Sequence, residues 1–424
     1  MSKVGMVGLG KLGLPCLLAM EKYGSHDIFG YEISAATKKA ISEKYVTYWE
    51  KDVNNLLKES KLTLTDSAAD LVGICEIIFV AVPTPHEAAF EGLTPIPDER
   101  KDFDYEYLRA AARDLSEGLK KFPNANPLIV VISTVLPGTM RTEVLPILNQ
   151  IRPDVRFAYN PYFIAMGTTI DDFMNPEFFL IGSDNPSDAV ALSNFYSFVG
   201  DRSKTMRIES AELTKVAYNT FIGFKIVFAN ALSEIVQSRG GDVDEVTEAL
   251  ADARYRLMSP KYLSAGMGDG GGCHPRDQIA MSWLASEAGM SFDIFEFIAR
   301  ARDEQTSRQA NQIIELSNEH KLPILILGKS YKENSPLTIG SPALLLQYYL
   351  NQFQTPFSAW DPWVDGEEFT QNVPVVAFIA SKHEAFRNIS LPAGSVVIDP
   401  WGFYQKPNDK IMVITPGRTH VDKK

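Results

Sequence analysis

The fold of this chain is set near its beginning, by the stretch Val4-Gly5-Met6-Val7-Gly8-Leu9-Gly10-Lys11-Leu12-Gly13. The apolar start predicts a buried strand, the three glycines that follow predict a tight turn, and Leu14 to Tyr23 predicts a helix. Glu32 ends a second predicted strand, Ile28 to Tyr31, about 20 residues after the glycines, where an acid can hydrogen-bond ribose hydroxyls. This order indicates a dinucleotide site, and the lack of a basic residue beside Glu32 favours NAD over NADP.

Further buried strands are predicted at Ile77 to Val82 and at Leu128 to Ile132. They end in Pro83-Thr84-Pro85 and in Ser133-Thr134, and the helical stretch Tyr105 to Leu119 lies between them. Strands that alternate with helices predict a parallel sheet, and ligands collect at the carboxyl ends of its strands.

The middle of the chain changes to a helical pattern. One long helix is predicted from Ser210, as N-cap, to Gly240, as the stop. Lys215 and Asn219 are four residues apart on it, so they share a face, which is either catalytic or simply a solvated stripe. Shorter helices are predicted at Val243 to Ala253, Gln278 to Ala288 and Ile294 to Asn318.

From Leu322 the strand and helix alternation resumes. Strands are predicted at 323–327, 357–360, 375–379 and 395–398, with a helix at 342–350. We therefore predict an α/β fold with two doubly wound, Rossmann-like domains joined by a long central helix and a small all-helical middle domain. The predicted domains are residues 1–200 for NAD, 201–312 for dimerisation and catalysis, and 313–424 for a nucleotide sugar.

Cys273 lies in the run Gly270-Gly271-Gly272-Cys273-His274-Pro275-Arg276-Asp277. The glycines allow a ligand to approach the sulfur closely, and a helix that begins near Pro275 would stabilise the thiolate. Cys273 is therefore a candidate covalent nucleophile. The alternative is a glycine-rich surface loop with an incidental cysteine.

Composition excludes several classes of protein. The 424 residues are 45% hydrophobic and 22% charged, which is typical of a soluble chain with two or three domains. A net charge of -12 argues against a nucleic-acid partner. Three cysteines without a close pair suit a reducing compartment. With no apolar run of ~20 residues and no signal peptide, we expect a cytoplasmic protein without a membrane partner.

Several motifs, in their order along the chain, resemble those of the UDP-glucose/GDP-mannose dehydrogenase family. Besides the glycine turn and the Cys273 run they are Val82-Pro83-Thr84-Pro85, Ser133-Thr134-Val135, Ala211-Glu212-Leu213-Thr214-Lys215-Val216-Ala217-Tyr218-Asn219, Gly328-Lys329-Ser330-Tyr331-Lys332 with Ser341-Pro342, and Trp360-Asp361-Pro362. The resemblance covers nearly the whole chain.

The resemblance implies oxidation of a sugar C6 hydroxyl to a carboxylate with two NAD, through a thiohemiacetal and a thioester on Cys273. The segment around Cys273 is most similar to the UDP-glucose branch, which makes UDP-glucuronate, while GDP-mannose and N-acetylhexosamine nucleotides remain open. A homodimer is implied, with Arg254 reaching into the neighbouring sugar site. No metal ion is expected.

The resemblance also implies roles for individual residues. The implied catalytic residues are Cys273, Lys215, Asn219, Asp277 and Thr134. The implied cofactor-binding residues are Gly8, Gly10, Lys11, Leu12, Gly13, Glu32, Thr84, Thr134 and Arg276. The implied substrate-binding residues are Phe163, Lys215, Asn219, Arg254, Tyr262, Gly268 and Lys332.

The sequence departs from the family pattern at two places. Tyr162 and Met166 stand where the family has glutamates, one of which activates water to cleave the thioester. Either hydrolysis is slow or a substitute base such as Asp277 or His274 acts, because a lost general base costs ~10²–10⁴-fold. Ile339 stands where the family has an arginine that touches the cofactor, which affects cofactor affinity.

Two other functions remain possible. A two-electron dehydrogenase of the β-hydroxyacid kind also places a lysine and an asparagine four apart on a long helix, but it needs neither Cys273 nor the last domain. A nucleotide-sugar-binding homologue without turnover would explain the missing carboxylates, but it has no use for a nucleophile. The four-electron dehydrogenase is therefore favoured.

Overall fold

The computed structural model describes residues 2–85, 101–239, 241–259, 264–271, 274–366 and 368–418. The side chains of Gln237, His274, Arg276, Asp277 and Ala280 also lie outside the described part. The chain forms two compact units, residues 1–223 and 224–424.

The first unit contains an eight-stranded sheet. Its strands are β1 (Lys3–Val7), β2 (Asp27–Tyr31), β3 (Thr63–Leu64), β4 (Ile77–Val80), β5 (Leu128–Val131), β6 (Phe157–Tyr159), β7 (Phe179–Gly182) and β8 (Ser203–Met206). The spatial order is β3-β2-β1-β4-β5-β6-β7-β8. All neighbours are parallel except β6 and β7, which pair antiparallel at Tyr159 and Gly182. The order reverses at β1, so a crevice opens beyond the carboxyl ends of β1 and β4.

Eight α-helices accompany this sheet in the described residues. They are α1 (Gly13–Gly24), α2 (Ala35–Ser42), α3 (Val53–Glu59), α4 (Ala68–Ile74), α5 (Glu106–Lys121), α6 (Leu145–Asn149), α7 (Thr169–Met174) and α8 (Pro186–Phe195). Both faces of the sheet are buried. On β4, Ile77 and Phe79 belong to one apolar cluster, whereas Ile78 and Val80 belong to the other. This alternation explains why the central strands read as continuous apolar runs.

The long central helix is α9 (Ile208–Arg239), followed by α10 (Val243–Asp252), α11 (His274–Ala288) and α12 (Ile294–His320). The predicted N-cap at Ser210 is wrong. The amide of Ala211 donates to the Arg207 carbonyl at 3.0 Å, so helical hydrogen bonding begins directly after β8. Ser210 lies in the first turn. The predicted stop at Gly240 lies outside the described residues.

The second unit contains a five-stranded, all-parallel sheet. Its strands are β9 (Ile324–Leu327), β10 (Phe357–Trp360), β11 (Val376–Ile379), β12 (Val396–Ile398) and β13 (Met412–Ile414), in the order β10-β9-β11-β12-β13. Helix α13 (Pro342–Gln352) follows β9. The order reverses at β9, which opens a crevice between the loops that follow β9 and β11. The predicted α/β class with a second parallel sheet is confirmed.

Candidate functional site: two carboxyl edges

The glycine turn joins β1 to α1 at the carboxyl edge of the first sheet. Gly8 has a φ of +92°, and a Cβ on Gly13 would lie 2.0 Å from the Gly8 carbonyl oxygen. No side chain fits at either position, because strand, turn and helix pack backbone against backbone. A Cβ on Gly10 would have no described atom within 4 Å. Gly10 therefore leaves its side of the turn open to a ligand.

Glu32 lies at the end of β2, beside this turn. Its carboxylate is buried and accepts hydrogen bonds from the amides of Leu9, at 2.8 Å, and Ser34, at 2.9 Å. These bonds fix the carboxylate against the glycine turn. Carboxylate oxygens can accept further bonds, so Glu32 retains capacity for ribose hydroxyls.

A cavity of about 600 Å³ opens above the glycine turn. It is of the size typical of cofactor sites. Thr84 and Thr134 line it from the ends of β4 and β5, and the Thr84 Oγ1 donates to the Thr134 carbonyl at 2.7 Å. Other lining residues are Gly8, Gly10, Lys11, Leu12, Glu32, Ile33, Tyr162, Met166 and Lys215. The open side of Gly10, the N-terminus of helix α1 and the carboxylate of Glu32 together fit a dinucleotide.

Lys215 reaches this cavity from helix α9. Its side chain is buried, its Nζ donates to the Tyr162 carbonyl at 2.7 Å, and the same nitrogen lies 4.8 Å from the centre of the Phe163 ring. Burial lowers the pKa of the Lys215 amine from its ordinary value of 10.5. The site thus holds a desolvated amine that donates a hydrogen bond to the Tyr162 carbonyl.

Glu212 fixes the first turns of helix α9 beside this cavity. Its fully buried carboxylate accepts from the amides of Gly138, at 2.6 Å, and Met140, at 2.8 Å. Burial raises the pKa of Glu212, and the two backbone bonds partly oppose that rise. Because Glu212 is one turn before Lys215, it couples the position of the amine to the segment that follows β5. The sequence motif contained Glu212 but did not reveal this contact.

Glu50 performs a similar task for the segment that carries Met166. The buried Glu50 carboxylate accepts from the amides of Gly167, at 2.7 Å, and Thr169, at 2.9 Å. The Trp49 ring packs on Gly167, which has a φ of +100°. Sequence reasoning missed Glu50, since its partners lie 117 and 119 residues away.

Tyr162 is buried in the core rather than presented as a proton acceptor. The Tyr196 hydroxyl donates to Asn160 Oδ1 at 2.5 Å, so the Tyr162 hydroxyl is the donor in its 2.9 Å contact with Tyr196. Burial raises the pKa of Tyr162 well above its ordinary value. The hydroxyl therefore stays neutral and engaged. Met166 is exposed at the cavity rim and offers no proton acceptor.

A buried polar network forms the carboxyl edge of the second sheet. Asp361, directly after β10, accepts from the amides of Lys329, at 2.7 Å, and Ser330, at 3.0 Å, and its Oδ2 is 3.0 Å from His383 Nε2. Burial alone would raise the pKa of Asp361, but the His383 and backbone bonds outweigh burial and hold it well below its ordinary value. The Trp360-Asp361-Pro362 motif was visible in the sequence, whereas its partner His383 was not.

The glycine-rich segment that leads to Cys273 packs against this same edge. A Cβ on Gly270 would lie 2.7 Å from Tyr331 Cβ, and one on Gly266 would lie 2.2 Å from the Trp401 ring. The Arg418 guanidinium donates to the Ala265 carbonyl at 3.0 Å. Within the second unit, the approach to Cys273 and the loops that end the sheet are therefore one contiguous surface.

Arg302 of α12 anchors the glycine-rich segment from its other side. Its Nε lies 2.9 Å from Asp269 Oδ1, and its side chain is only 13% exposed. The Gln278 amide donates to the other Asp269 oxygen at 3.0 Å. A Cβ on Gly268 would touch the Arg302 side chain at 3.3 Å. These contacts were not predicted, because the sequence around Cys273 does not indicate that Asp269 pairs with Arg302.

Apart from Gly268, which packs against Arg302, the predicted site residues fall into three groups. The cavity of the first unit brings together Gly8, Gly10, Lys11, Leu12, Glu32, Thr84, Thr134 and Lys215, with Gly13 beneath the turn and Phe163 under the lysine. Asn219 is exposed one turn beyond Lys215, Arg254 is exposed beside Asp252, and Lys332 is exposed after β9. Cys273 and Tyr262 lie outside the described residues, as do the side chains of Arg276 and Asp277 on α11.

Fold and site together define a dinucleotide-dependent oxidoreductase with a second α/β unit in the same chain. The sequence model of the UDP-glucose/GDP-mannose dehydrogenase family matches residues 2–199 as the NAD binding domain and residues 209–303 as the central domain. The chain belongs to this family and is an NAD-dependent enzyme of the nucleotide-sugar dehydrogenase class. NAD is therefore the cofactor of the first unit.

Similar proteins differ in their substrates. UDP-glucose 6-dehydrogenase of Bacillus subtilis is 28% identical over 371 residues, 85% of this chain and 76% of that protein. GDP-mannose 6-dehydrogenase of Pseudomonas putida is 25% identical over 442 residues, 96% of this chain and 97% of that protein.

A solved structure shares the fold. The GDP-mannose dehydrogenase of Pseudomonas aeruginosa, crystallised as a ternary complex, aligns with a TM-score of 0.83 at 21% identity and covers 97% of this chain and 99% of that one. In the described part of the chain, no helix is both long and apolar enough to cross a bilayer.

Proposed function

We propose that this protein oxidises the C6 hydroxyl of a nucleotide sugar to a carboxylate in two stages, with UDP-glucose as its substrate. The position of Lys215 carries this proposal, because a buried amine lines the dinucleotide cavity. Such a donor suits the stabilisation of an oxygen that gains negative charge during the reaction. Membership of the family supports the same class of reaction.

The complete reaction removes two hydrides from one alcohol carbon, consumes one water molecule and forms one carboxylate. NAD supplies the hydride acceptor in both stages. After the first oxidation the Cys273 thiolate attacks the aldehyde carbon, and its new C–S bond gives a thiohemiacetal. The second oxidation converts this to a thioester. Water then cleaves the C–S bond, which returns the thiol and releases the acid.

The chain's own side chains orient the substrate and move its protons. Lys215 and Asn219 donate hydrogen bonds to the thiohemiacetal oxygen. Asp277, with Thr134 and an ordered water, accepts the proton of the C6 hydroxyl. These assignments rest on the matching motif positions and, for Lys215 and Thr134, on their shared cavity.

Cleavage of the thioester needs a base other than Tyr162 or Met166. The Tyr162 hydroxyl is already donated to Tyr196, and a thioether accepts no proton at working pH. We propose that Asp277 or His274 takes this role. Without a base, this step slows ~10²–10⁴-fold and becomes rate-limiting.

The choice of UDP-glucose rests on sequence similarity around Cys273 and on the Bacillus relative. GDP-mannose is the second candidate, since the Pseudomonas putida relative matches over nearly the full length of both chains. We place the NAD-binding domain at residues 1–200, the helical domain at 201–312 and the nucleotide-sugar domain at 313–424. The loops at the carboxyl edge of the second sheet, with Lys332, would hold the diphosphate.

A homodimer is part of the proposal, with Arg254 acting in the neighbouring sugar site. Helix α9 carries several exposed large apolar side chains, Leu213, Ile222, Ile226 and Val227. Exposed apolar surface of this kind is typical of an interface. Light scattering should give twice the chain mass of 47.1 kDa, and a mass of one chain would contradict the dimer.

A panel of substrates tests the reaction. UDP-glucose, GDP-mannose and UDP-N-acetylhexosamines are each incubated with NAD, and NADH is recorded at 340 nm. The proposal predicts the highest kcat/KM with UDP-glucose. A preference for GDP-mannose would change the substrate and leave the reaction class intact, whereas no NADH from any nucleotide sugar would contradict the function.

Intact-mass measurement tests the covalent step. After mixing with NAD and UDP-glucose, the wild-type chain should gain the mass of the substrate less two hydrogens for the thiohemiacetal, or less four for the thioester. Cys273→Ser should gain neither. Cys75→Ser is the matched control, because Cys75 is buried in the first unit and should leave the adduct intact. Full activity in Cys273→Ser would overturn the role of this sulfur.

A further inference from the structure

The segment 329–334, which follows β9, is held in place from several directions. Its first two amides donate to Asp361, as described above. The Ser381 Oγ donates to the Ser330 carbonyl at 2.5 Å, and the Glu384 amide donates to Asn334 Oδ1 at 3.1 Å. Asn334 itself has a φ of +53°. A segment fixed at both ends in this way has one preferred conformation.

His383 makes the contact that closes the far end of this segment. The Asn334 amide donates to His383 Nδ1 at 2.8 Å. A ring nitrogen that accepts carries no proton, so the proton of the neutral ring is on Nε2. Nε2 lies 2.8 Å from Ser330 Oγ and 3.0 Å from Asp361 Oδ2. His383 is thus a two-ended brace between the start and the end of the segment.

The side chains of His383, Asp361 and Ser330 are too deeply buried to contact a ligand. His383 and Asp361 have no exposed surface, and Ser330 is 1% exposed. The segment that they hold carries the exposed Lys332 at the carboxyl edge of the sheet, beside the crevice where its strand order reverses. Burying three polar side chains is costly unless each is paired, and here each is paired.

We propose that His383 is a positioning residue that, through Nδ1, holds segment 329–334 in the conformation that binds the diphosphate of the nucleotide sugar. This inference rests on the proposed function. His383 does not touch the substrate. It removes the freedom of the segment before binding, so that less conformational entropy is lost when the diphosphate binds.

Two substitutions separate the two ends of the brace. Asn places its amide oxygen as many bonds from Cβ as Nδ1, so His383→Asn keeps the acceptor for the Asn334 amide. Gln places its amide nitrogen as many bonds from Cβ as Nε2, so His383→Gln keeps only the donor to Asp361. Ser317→Ala is the matched control, because Ser317 Oγ donates to the Leu322 carbonyl, at 2.6 Å, before β9 begins.

Binding of UDP and of GDP is measured by calorimetry on the full-length protein, together with steady-state kinetics and melting temperatures. His383→Gln should raise the Kd for the preferred diphosphate and the KM for its sugar about tenfold, as expected for one lost hydrogen bond. The kcat and the KM for NAD should stay within about twofold. His383→Asn and Ser317→Ala should bind like the wild type.

Hydrogen exchange of the peptide that spans 329–337 gives an independent measure. Exchange should accelerate in His383→Gln and not in His383→Asn. Asn334→Gly leaves the buried network in place, tolerates the positive φ and loses the bond from Glu384. It should weaken diphosphate binding about threefold, less than His383→Gln does, because the hydrogen bond that it loses is exposed to solvent. This variant keeps the proposal testable if His383 variants fail to fold.

The outcomes separate the two proposals. Wild-type affinity in His383→Gln, equal losses in His383→Asn and His383→Gln, or wild-type affinity in Asn334→Gly would overturn the positioning role while the enzyme remains a nucleotide-sugar dehydrogenase. A wild-type protein that binds neither UDP nor GDP, and oxidises neither of their sugars, would overturn the proposed function itself.

Discussion

The carboxyl edges of the two parallel sheets are shaped by different means. The first edge depends on missing side chains, since Gly8 and Gly13 allow backbone to meet backbone and Gly10 leaves room for a ligand. The second edge depends on buried polar side chains, in which Asp361 and His383 hold a longer segment. The glycine turn is formed by local geometry, whereas the segment after β9 is held by contacts between distant parts of the chain.

This difference sets how each edge should respond to substitution. At Gly8 and Gly13 the glycine turn tolerates no added side-chain atom, whereas Gly10 has room for one. A braced segment tolerates changes at its exposed surface and fails when a buried partner is lost. The comparison therefore predicts unlike effects from chemically similar substitutions in the two units.

The largest contrast is expected between two lysines. Lys215→Met in the first unit should lower kcat ~10²–10³-fold, as the loss of an oxyanion donor does. Lys332→Met in the second unit should instead raise the KM for the nucleotide sugar about tenfold, with a smaller change in kcat. Steady-state kinetics check both. Equal effects on kcat would remove the distinction between the two edges.

The glycines allow a sharper test within the first edge. Gly13→Ala should destabilise the first unit by about 1–3 kcal/mol, since its Cβ would overlap the Gly8 carbonyl. Gly10→Ala should leave the melting temperature almost unchanged and weaken NAD binding, because its Cβ points to open space. Thermal melts and NAD titrations distinguish them. A stable Gly13→Ala that binds NAD normally would refute the packing argument.

The carboxylate of Asp361 should make the folding stability of the second unit depend on pH. Its folded pKa lies below its ordinary value of 3.8, so the unfolded chain binds more protons in that range. The stabilisation is present above about pH 4 and is lost as the pH falls below it. Asp361→Asn should lower stability at neutral pH by about 1–3 kcal/mol and remove this acid dependence.

Denaturant unfolding followed by tryptophan fluorescence measures this effect, because four of the five tryptophans lie in the second unit. Asp409→Asn is the control, since that carboxylate is 98% exposed. If Asp361→Asn keeps the acid dependence of the wild type, the stabilisation arises elsewhere.

The sequence predicted the parts of the fold that depend on local pattern. The strand at Val4 to Val7, the glycine turn and the helix after it all follow from periodicity and from residues with special backbone freedom. The polar strand Ser203–Met206 and the three-residue strand Phe157–Tyr159 escaped prediction, because short or polar strands lack a period. Ser210 was a wrong N-cap since tertiary context started the helix earlier.

The candidate site divides in the same way. Glu32 could be predicted from spacing and Lys215 from the family resemblance, and both line one cavity. Glu212 and His383 could not be assigned their partners, because each binds backbone amides 49 to 74 residues away. Pairings over that distance depend on the complete fold, which local pattern does not encode.

The smallest effect is expected from Tyr162→Phe. Loss of the buried hydroxyl pair with Tyr196 should cost about 0.5–1.5 kcal/mol of stability and leave kcat within about twofold. Tyr404→Phe removes a comparable bond in the second unit, from its hydroxyl to the Ile389 carbonyl, and serves as control. A large loss of kcat in Tyr162→Phe alone would mean that this hydroxyl transfers protons during catalysis.

The two-stage oxidation on Cys273 is tested most directly by counting products. The wild-type protein is given NAD and UDP-glucose, or GDP-mannose if the panel selects it, and NADH and sugar carboxylate are quantified in the same sample. We predict two NADH for each carboxylate, with no free aldehyde trapped by semicarbazide. One NADH per product, with the aldehyde released, would contradict the account.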